Sequence, residues 1–201
     1  MSSREEILGR IRTALGERGP VSPVTRGYRT VDVRPAEVLL DVLVDRLEDY
    51  KATVVRCGPD EVAATVATAL AAVQGDVVVA PGVPSAWRPE GSVEDDGRPA
   101  VDLAGYGATL TGVSAAVAET GTLVLDGSPL CGRRALSLLP DCLVCVVEAA
   151  QVVGSVPEGL AVLDPLAPLT MISGPSATSD IELQRVEGVH GPRALIVVLV
   201  A

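Results

Sequence analysis

Three stretches of this 201-residue chain gather the side chains that could bind or transfer. The first, I-S-G-P-S-A-T-S-D-I-E over residues 172–182, offers the hydroxyls of Ser173, Ser176 and Thr178, with Gly174 for close backbone approach. Ser179 followed three residues later by Glu182 is a capping-box pattern, which predicts a helix starting near Asp180. A loop feeding a helix N-terminus is a ready anion site. Asp180 and Glu182 in that first turn would repel a phosphate, so two chemistries stay open. Either backbone N–H and hydroxyl groups hold an anion while the carboxylates point away, or the carboxylates act on a sugar, an amine or a proton.

The second stretch is G-V-H-G-P-R over residues 188–193. It holds the one histidine, His190, between two glycine-bearing turns and just ahead of an apolar run. That places it at a strand's edge, as a structural hydrogen-bonder or as a general acid and base. With no second histidine in the chain, a metal site is not expected. Arg193 is the nearest fixed positive charge and suits a carboxylate or phosphate. The third stretch is Glu119-Thr120-Gly121-Thr122. A carboxylate beside a glycine turn at a strand's end can serve as nucleophile or base, or simply as an exposed turn residue. The candidates are therefore Glu119, Asp180 and His190 for catalysis. For ligand binding they are Thr120, Gly121, Thr122, Ser173, Gly174, Ser176, Thr178, Glu182 and Arg193.

Cys57, Cys131, Cys142 and Cys145 complete the reactive inventory. Only Cys142 and Cys145 have C-x-x-C spacing, inside the apolar run D-C-L-V-C-V-V, where a separation of three sends strand side chains to opposite faces. They read as small core residues. No second ligand pair accompanies them, so neither zinc nor an iron–sulfur cluster is expected in this chain.

These stretches need elements to hold them. A capping box at Ser3 and Glu6, then Ile7, Leu8, Ile11, Ala14 and Leu15 at helical spacing, predicts an amphipathic helix within residues 1–17. Residues 18–34, rich in Pro, Gly, Arg and Ser, read as a linker. An α/β domain occupies residues 35–201. It opens with a helix after Pro35, striped by Val38, Leu39, Val42, Leu43 and Leu47. A strand at residues 52–56 and a helix opened by Pro59-Asp60-Glu61 follow. The buried run Asp76-Val-Val-Val-Ala80 comes next, ending at Pro81-Gly82. Helix and strand alternating at these lengths indicate a parallel sheet. Residues 83–100 read as an irregular connection, either solvated with Trp87 covering a local cluster, or a lid over a site. Residues 101–103 suggest a short strand. Thr120-Gly121 suggests a hairpin turn, residues 133–139 a short helix stopped by Pro140, and residues 143–148 a buried strand.

Composition narrows the classes. Hydrophobic residues make up 48% of the chain while aromatics make up 2%, so the core must be aliphatic. A net charge of −10 argues against nucleic acid or an anionic membrane as partner. No apolar run reaches the roughly 18 residues of a membrane span, and the N-terminal segment is charged, unlike a signal peptide. A cytoplasmic protein is expected.

Taken in order, A-E-T-G-T-L-V-L, L-S-L-L-P-D, I-S-G-P-S-x-T-x-D-I-E and G-V-H-G-P-R-A-L resemble the LUD domain, specifically the LutC/YkgG lactate-utilization family. The resemblance covers roughly residues 35–200. It implies a Rossmann-like open, mostly parallel sheet of the NagB/RpiA/CoA-transferase-like kind. It also implies a cytoplasmic role in oxidising L-lactate to pyruvate beside iron–sulfur partner proteins, which would carry the clusters. In one position the chain departs from the family: G-P-S-R-T-x-D-I-E is the usual pattern, and Ala177 stands where the arginine is expected. An anion site would then rely on Arg193, Arg185 or a partner chain. The expected arrangement is an accessory subunit with a pocket for a small carboxylate or phosphate at the C-terminal ends of the parallel strands. Residues 119–122 would form one half and residues 173–190 the other. Two alternatives remain. One is a free-standing transferase, isomerase or ligase acting on a phosphorylated or CoA-linked molecule through Glu119. The other is a regulatory or scaffolding module that docks a partner on its N-terminal helix.

Overall fold

Aliphatic runs flanked by Gly and Pro become the strands, and the leucine-striped segments become the helices that cover them. The computed structural model describes residues 2–16, 22–178, 186–187 and 190–201. Helix α1 (Ser3–Leu15) is capped by Ser2, with Glu5 as the reciprocal partner. The box sits one residue earlier than predicted, because Ser2-Ser3 and Glu5-Glu6 offer the same pattern in either register. α1 buries no residue.

Helix α2 (Ala36–Asp49) buries Leu39, Leu43 and Leu47, one row at four-residue spacing. Strand β1 (Thr53–Cys57) leads through a 3-10 turn into α3 (Val62–Ala69) and β2 (Val77–Val79). The predicted irregular connection contributes a short strand, β3 (Val93–Glu94), and α4 (Ala100–Leu103). Residues 101–103 are thus helical, not a strand. Pro99 stands at the N-cap, its carbonyl accepts from the Asp102 N–H, and Leu103 is driven fully into the core. The sheet strand is instead β4 (Ala108–Gly112). The chain continues through β5 (Ala115–Val117), β6 (Thr122–Leu125), β7 (Cys142–Glu148), β8 (Val152–Val153), α5 (Val156–Ala161) and β9 (Thr170–Ile172). The last elements are β10 (Ala177–Thr178), β11 (Val186–Glu187) and β12 (Ala194–Val200). Residues 133–139 form overlapping turns rather than a regular helix. Leu136, Ser137 and Leu138 donate to carbonyls three residues back, and Pro140 ends the run.

A six-stranded sheet in the order β1-β12-β7-β4-β2-β3 is parallel at every pairing. This is the open α/β sheet predicted. A second sheet, β8-β5-β6-β9, is built on the β5–β6 hairpin, with β9 antiparallel to β6. β10 and β11 pair antiparallel.

Side chains of the central strands alternate between two cores, as a doubly covered sheet requires. Cys142, Val144, Val146, Ile196 and Val198 face α3 through Val62, Val66 and Leu70. Leu143, Cys145, Val147, Val197 and Leu199 face α2 and the second sheet. The two cysteines of the C-x-x-C spacing therefore lie on opposite faces, both buried. Burial pushes the Cys142 thiol up to about 11 and the Cys145 thiol to about 12. Trp87 packs against the α3-side core. Its segment is held by Arg88, which donates to the Val83 carbonyl and to Glu94. Asp95, itself buried, closes the segment in a two-bond pair with the half-buried Arg133, at 2.7 and 2.8 Å.

Candidate functional site

The turn Glu119-Thr120-Gly121-Thr122 forms as predicted, joining β5 to β6 with Val117 opposite Thr122. Gly121 takes the left-handed backbone at φ 59°. A Cβ there would lie 2.8 Å from the Arg46 Cβ, so only glycine lets the turn lie flat on α2. Antiparallel pairing sets Leu123 against Ile172, which brings Thr122 beside Ser173. The Thr120, Thr122 and Ser173 hydroxyls form a chain with contacts of 2.7 Å and 2.7 Å. The two predicted stretches are thus adjacent.

They do not form one pocket. Thr120 and Thr122 face a small apolar recess of about 100 Å³ beneath α5. Glu119 points the other way: one carboxylate oxygen is hydrogen-bonded to Arg29, and the other accepts from the Val156 N–H at 3.1 Å. Glu119 thereby belongs to a polar latch that fastens residues 29–34 to the domain. In the same latch Arg34 grips Asp32 through Nε and Nη2, and the Asp32 N–H donates to Glu158.

The larger cavity, about 320 Å³, lies where the turn before β7, the β9 exit and the turn before β12 converge. Ser173, Gly174, Ser176 and His190 line it, as do Arg134, Ser137, Leu143 and Leu195. Leu143 and Leu195 are the second residues of β7 and β12, so the cavity opens at the N-terminal ends of these strands, not at the C-terminal ends as expected. The other end is partly covered by the chain itself, leaving a shallow hollow of about 320 Å³ between Pro81, Asp95, Gly127 and Arg133. Residues 127–132 back onto β2 and β4: the Gly82 and Gly112 N–H groups donate to the Pro129 and Leu130 carbonyls.

Local geometry fixes the cavity wall. Gly174, at φ 107°, comes so close to Tyr50 that a Cβ would stand 2.7 Å from the Tyr50 carbonyl oxygen. The Ser176 N–H donates to the Pro192 carbonyl at 2.8 Å, and the Ser176 hydroxyl accepts from the His190 N–H at 3.2 Å. These two bonds clasp the β9 exit to the turn before β12 and leave His190 exposed at the rim. Arg193 is paired with Asp141 on the surface, away from the cavity lining. Asp180, Glu182 and the predicted helix start lie outside the described residues, as does the side chain of Thr178.

Sequence reasoning missed Arg134 and Ser137. From Arg29 to Arg193 the described arginines pair with carboxylates: Arg29, Arg34, Arg46, Arg56, Arg88, Arg98, Arg133 and Arg193. Arg134, like Arg4, Arg10, Arg12 and Arg26 of the N-terminal segment, has no carboxylate partner among the described residues, and it faces the cavity. No described residue lining the cavity is a carboxylate. The signal was the doublet Arg133-Arg134 after Gly132. Its first arginine turns inward to Asp95 and its second outward.

A family profile described as the LUD domain matches residues 86–200. The chain is 43% identical over 169 residues to lactate utilization protein C of Deinococcus radiodurans, covering 81% of this chain and 79% of that protein. It is 32% identical over 124 residues to lactate utilization protein C of Bacillus pumilus, spanning 58% of this chain and 50% of that one. Among solved structures, a DUF162 family protein from Deinococcus radiodurans superposes with a TM-score of 0.72 at 35% identity. That match covers 84% of this chain and 99% of the other.

Proposed function

The chain belongs to the LUD-domain family, and from that kinship we propose that it serves lactate utilization as an accessory subunit in the oxidation of L-lactate to pyruvate. The observation that carries this reading is the 43% identity to a lactate utilization protein C across most of both chains. The family match at residues 86–200 also contains Arg134, Ser173, Ser176 and His190, which line the large cavity. A free guanidinium, hydroxyls and an imidazole hold a small carboxylate or phosphate and can exchange a proton with it. Oxidation of L-lactate to pyruvate releases two electrons and two protons. In this reading the electrons pass to iron–sulfur clusters held by cytoplasmic partner proteins, with none in this chain.

In this reading such partners dock on α1. α1 exposes Ile7, Ile11 and Leu15 along one side and buries nothing, as expected of a helix that meets its apolar surface on another protein. No helix among the described residues is long and apolar enough to cross a membrane. The test is genetic and biochemical. Deleting the gene in the source organism should abolish growth on L-lactate as sole carbon source and spare growth on glucose. The tagged full-length chain should co-purify iron–sulfur proteins from lactate-grown cells. Undiminished growth of the deletion strain on L-lactate would overturn the reading.

A further inference from the structure

We infer that the cavity at the N-terminal ends of β7 and β12 is a monocarboxylate site in which Arg134 clamps the carboxylate. The ligand class is a short 2-hydroxy or 2-oxo acid, and this identity rests on the lactate-utilization reading. The site itself rests on the geometry.

Charge comes first. Four described arginines before Arg29 are unpaired, but from Arg29 to Arg193 every described arginine other than Arg134 is paired with a carboxylate. Arg134 has no such partner, and the described lining of its cavity contains no acid that could become one. A planar guanidinium left open above a cavity matches a carboxylate through two parallel hydrogen bonds.

Position is equally constrained. The Ser137 side chain is buried and its hydroxyl donates to the Arg134 carbonyl at 3.0 Å, which locks the turn that carries the guanidinium. Ser137 is therefore a positioning residue. Ser176 and His190, joined by the His190 N–H to Ser176 hydroxyl bond, also line the cavity, and their hydroxyl and imidazole suit a polar substituent at carbon 2. Leu143 and Leu195 supply an apolar surface between the two polar sides, which suits a methyl group.

Charge selects the class, and the cavity has ample room for it. At about 320 Å³ the cavity lies at the small end of ligand sites. Arg134 is the one fixed positive charge in the described lining. It balances a monocarboxylate, whereas a phosphate monoester carries about −1.5 to −2 at neutral pH.

The experiment is titration calorimetry on the full-length protein with L-lactate, pyruvate and inorganic phosphate. The variants are Arg134→Gln, Arg134→Lys and, as a paired surface control, Arg193→Gln. L-lactate or pyruvate should bind. Arg134→Gln should weaken that binding by roughly tenfold or more, the loss expected for one charged hydrogen-bonding partner. Arg134→Lys should retain part of it, and Arg193→Gln should bind like the unaltered protein. Melting temperatures of the variants confirm folding, since Arg134 is exposed and holds no partner. Binding unchanged in Arg134→Gln, no binding of either acid, or displacement of the acid by an equal concentration of phosphate would each overturn the assignment. The two readings separate in vivo. A deletion strain rescued on L-lactate by Arg134→Gln as well as by the natural gene removes this site and leaves the lactate role standing. Normal growth of the deletion strain, with Arg134-dependent binding intact in vitro, removes the lactate role and leaves the site.

Discussion

Asp32 shows how much of this molecule turns on side chains whose partners are hidden from local sequence. It lies in a stretch that reads as a linker, yet its side chain is 3% exposed, gripped by Arg34 and backed by Gly154. Hydrogen bonds from the Arg34 side chain, then from its N–H, hold the Asp32 carboxyl down at about 2. Because this folded value lies below the ordinary 3.8, the stabilisation is full above the ordinary value. It is lost as pH falls through the folded one. Asp126 titrates in the same window. Burial pushes it up, but hydrogen bonds from Ser114 and Ser128 outweigh this and hold it at about 2. A comparison of variants is therefore needed to isolate Asp32. Asp32→Asn should lower the melting temperature at neutral pH, and the gap from the unaltered protein should close as pH falls from about 4 to about 2. A gap that stays constant across that range would refute the assignment. Glu119 teaches the same lesson for the site. Its residue type and turn suggested a nucleophile, but its partner Arg29 lies 90 positions earlier. Such a pairing has no trace in local pattern. Ser173, Ser176 and His190 were legible because glycines and prolines flank them at strand ends, and strand ends converge.

Elements were legible where burial dominates. Residues 142–147 and 194–200 are continuously apolar because both faces of a parallel sheet are covered, and the strands appear there. Short segments were less so. Residues 101–103 suited a strand by composition, but the proline before them and the pull of Leu103 into the core made a helical turn. The end of the sheet that holds the cavity was also not legible. It depends on the path of residues 127–132 across β2 and β4, which tertiary contact decides. At this scale the contact between α2 and the β5–β6 turn is the sharpest point to test. Gly121 is required twice, by its positive φ and by the Arg46 Cβ standing 2.8 Å from where its own would be. Gly121→Ala should destabilise the protein by about 2 kcal/mol or more, from backbone strain and overpacking together. Urea unfolding would measure it as a lower midpoint with unchanged slope. A midpoint within error of the unaltered protein would mean that α2 and the hairpin are free to separate.

For the molecule as a whole, β12 is the strand on which both cores depend. It lies between β1 and β7, paired with β7 along its whole length and with β1 from Ile196 to Val200. One row of its side chains (Ile196, Val198, Val200) completes the core beneath α3, and the other (Leu195, Val197, Leu199) completes the core beneath α2 and the second sheet. Its pairing with β1 sets Thr53 beside Ile196, so the sheet completes only when segments distant in the sequence meet. Removing it strips apolar contacts from both faces at once and leaves β1 and β7 with unpaired inner edges. Removing α1 strips none, since that helix buries no residue. Two truncations thus predict opposite outcomes. Deleting residues 194–201 should abolish the cooperative thermal transition and the near-ultraviolet signal of Trp87, giving an aggregating chain. Deleting residues 2–16 should leave the melting temperature within about 2 °C of the full chain, as expected for loss of an unpacked segment. A cooperative melt in the first truncation would mean that the two cores fold without their shared strand. A large drop in the second would mean that α1 packs on the domain through its Ile7, Ile11 and Leu15 side rather than presenting it to a partner.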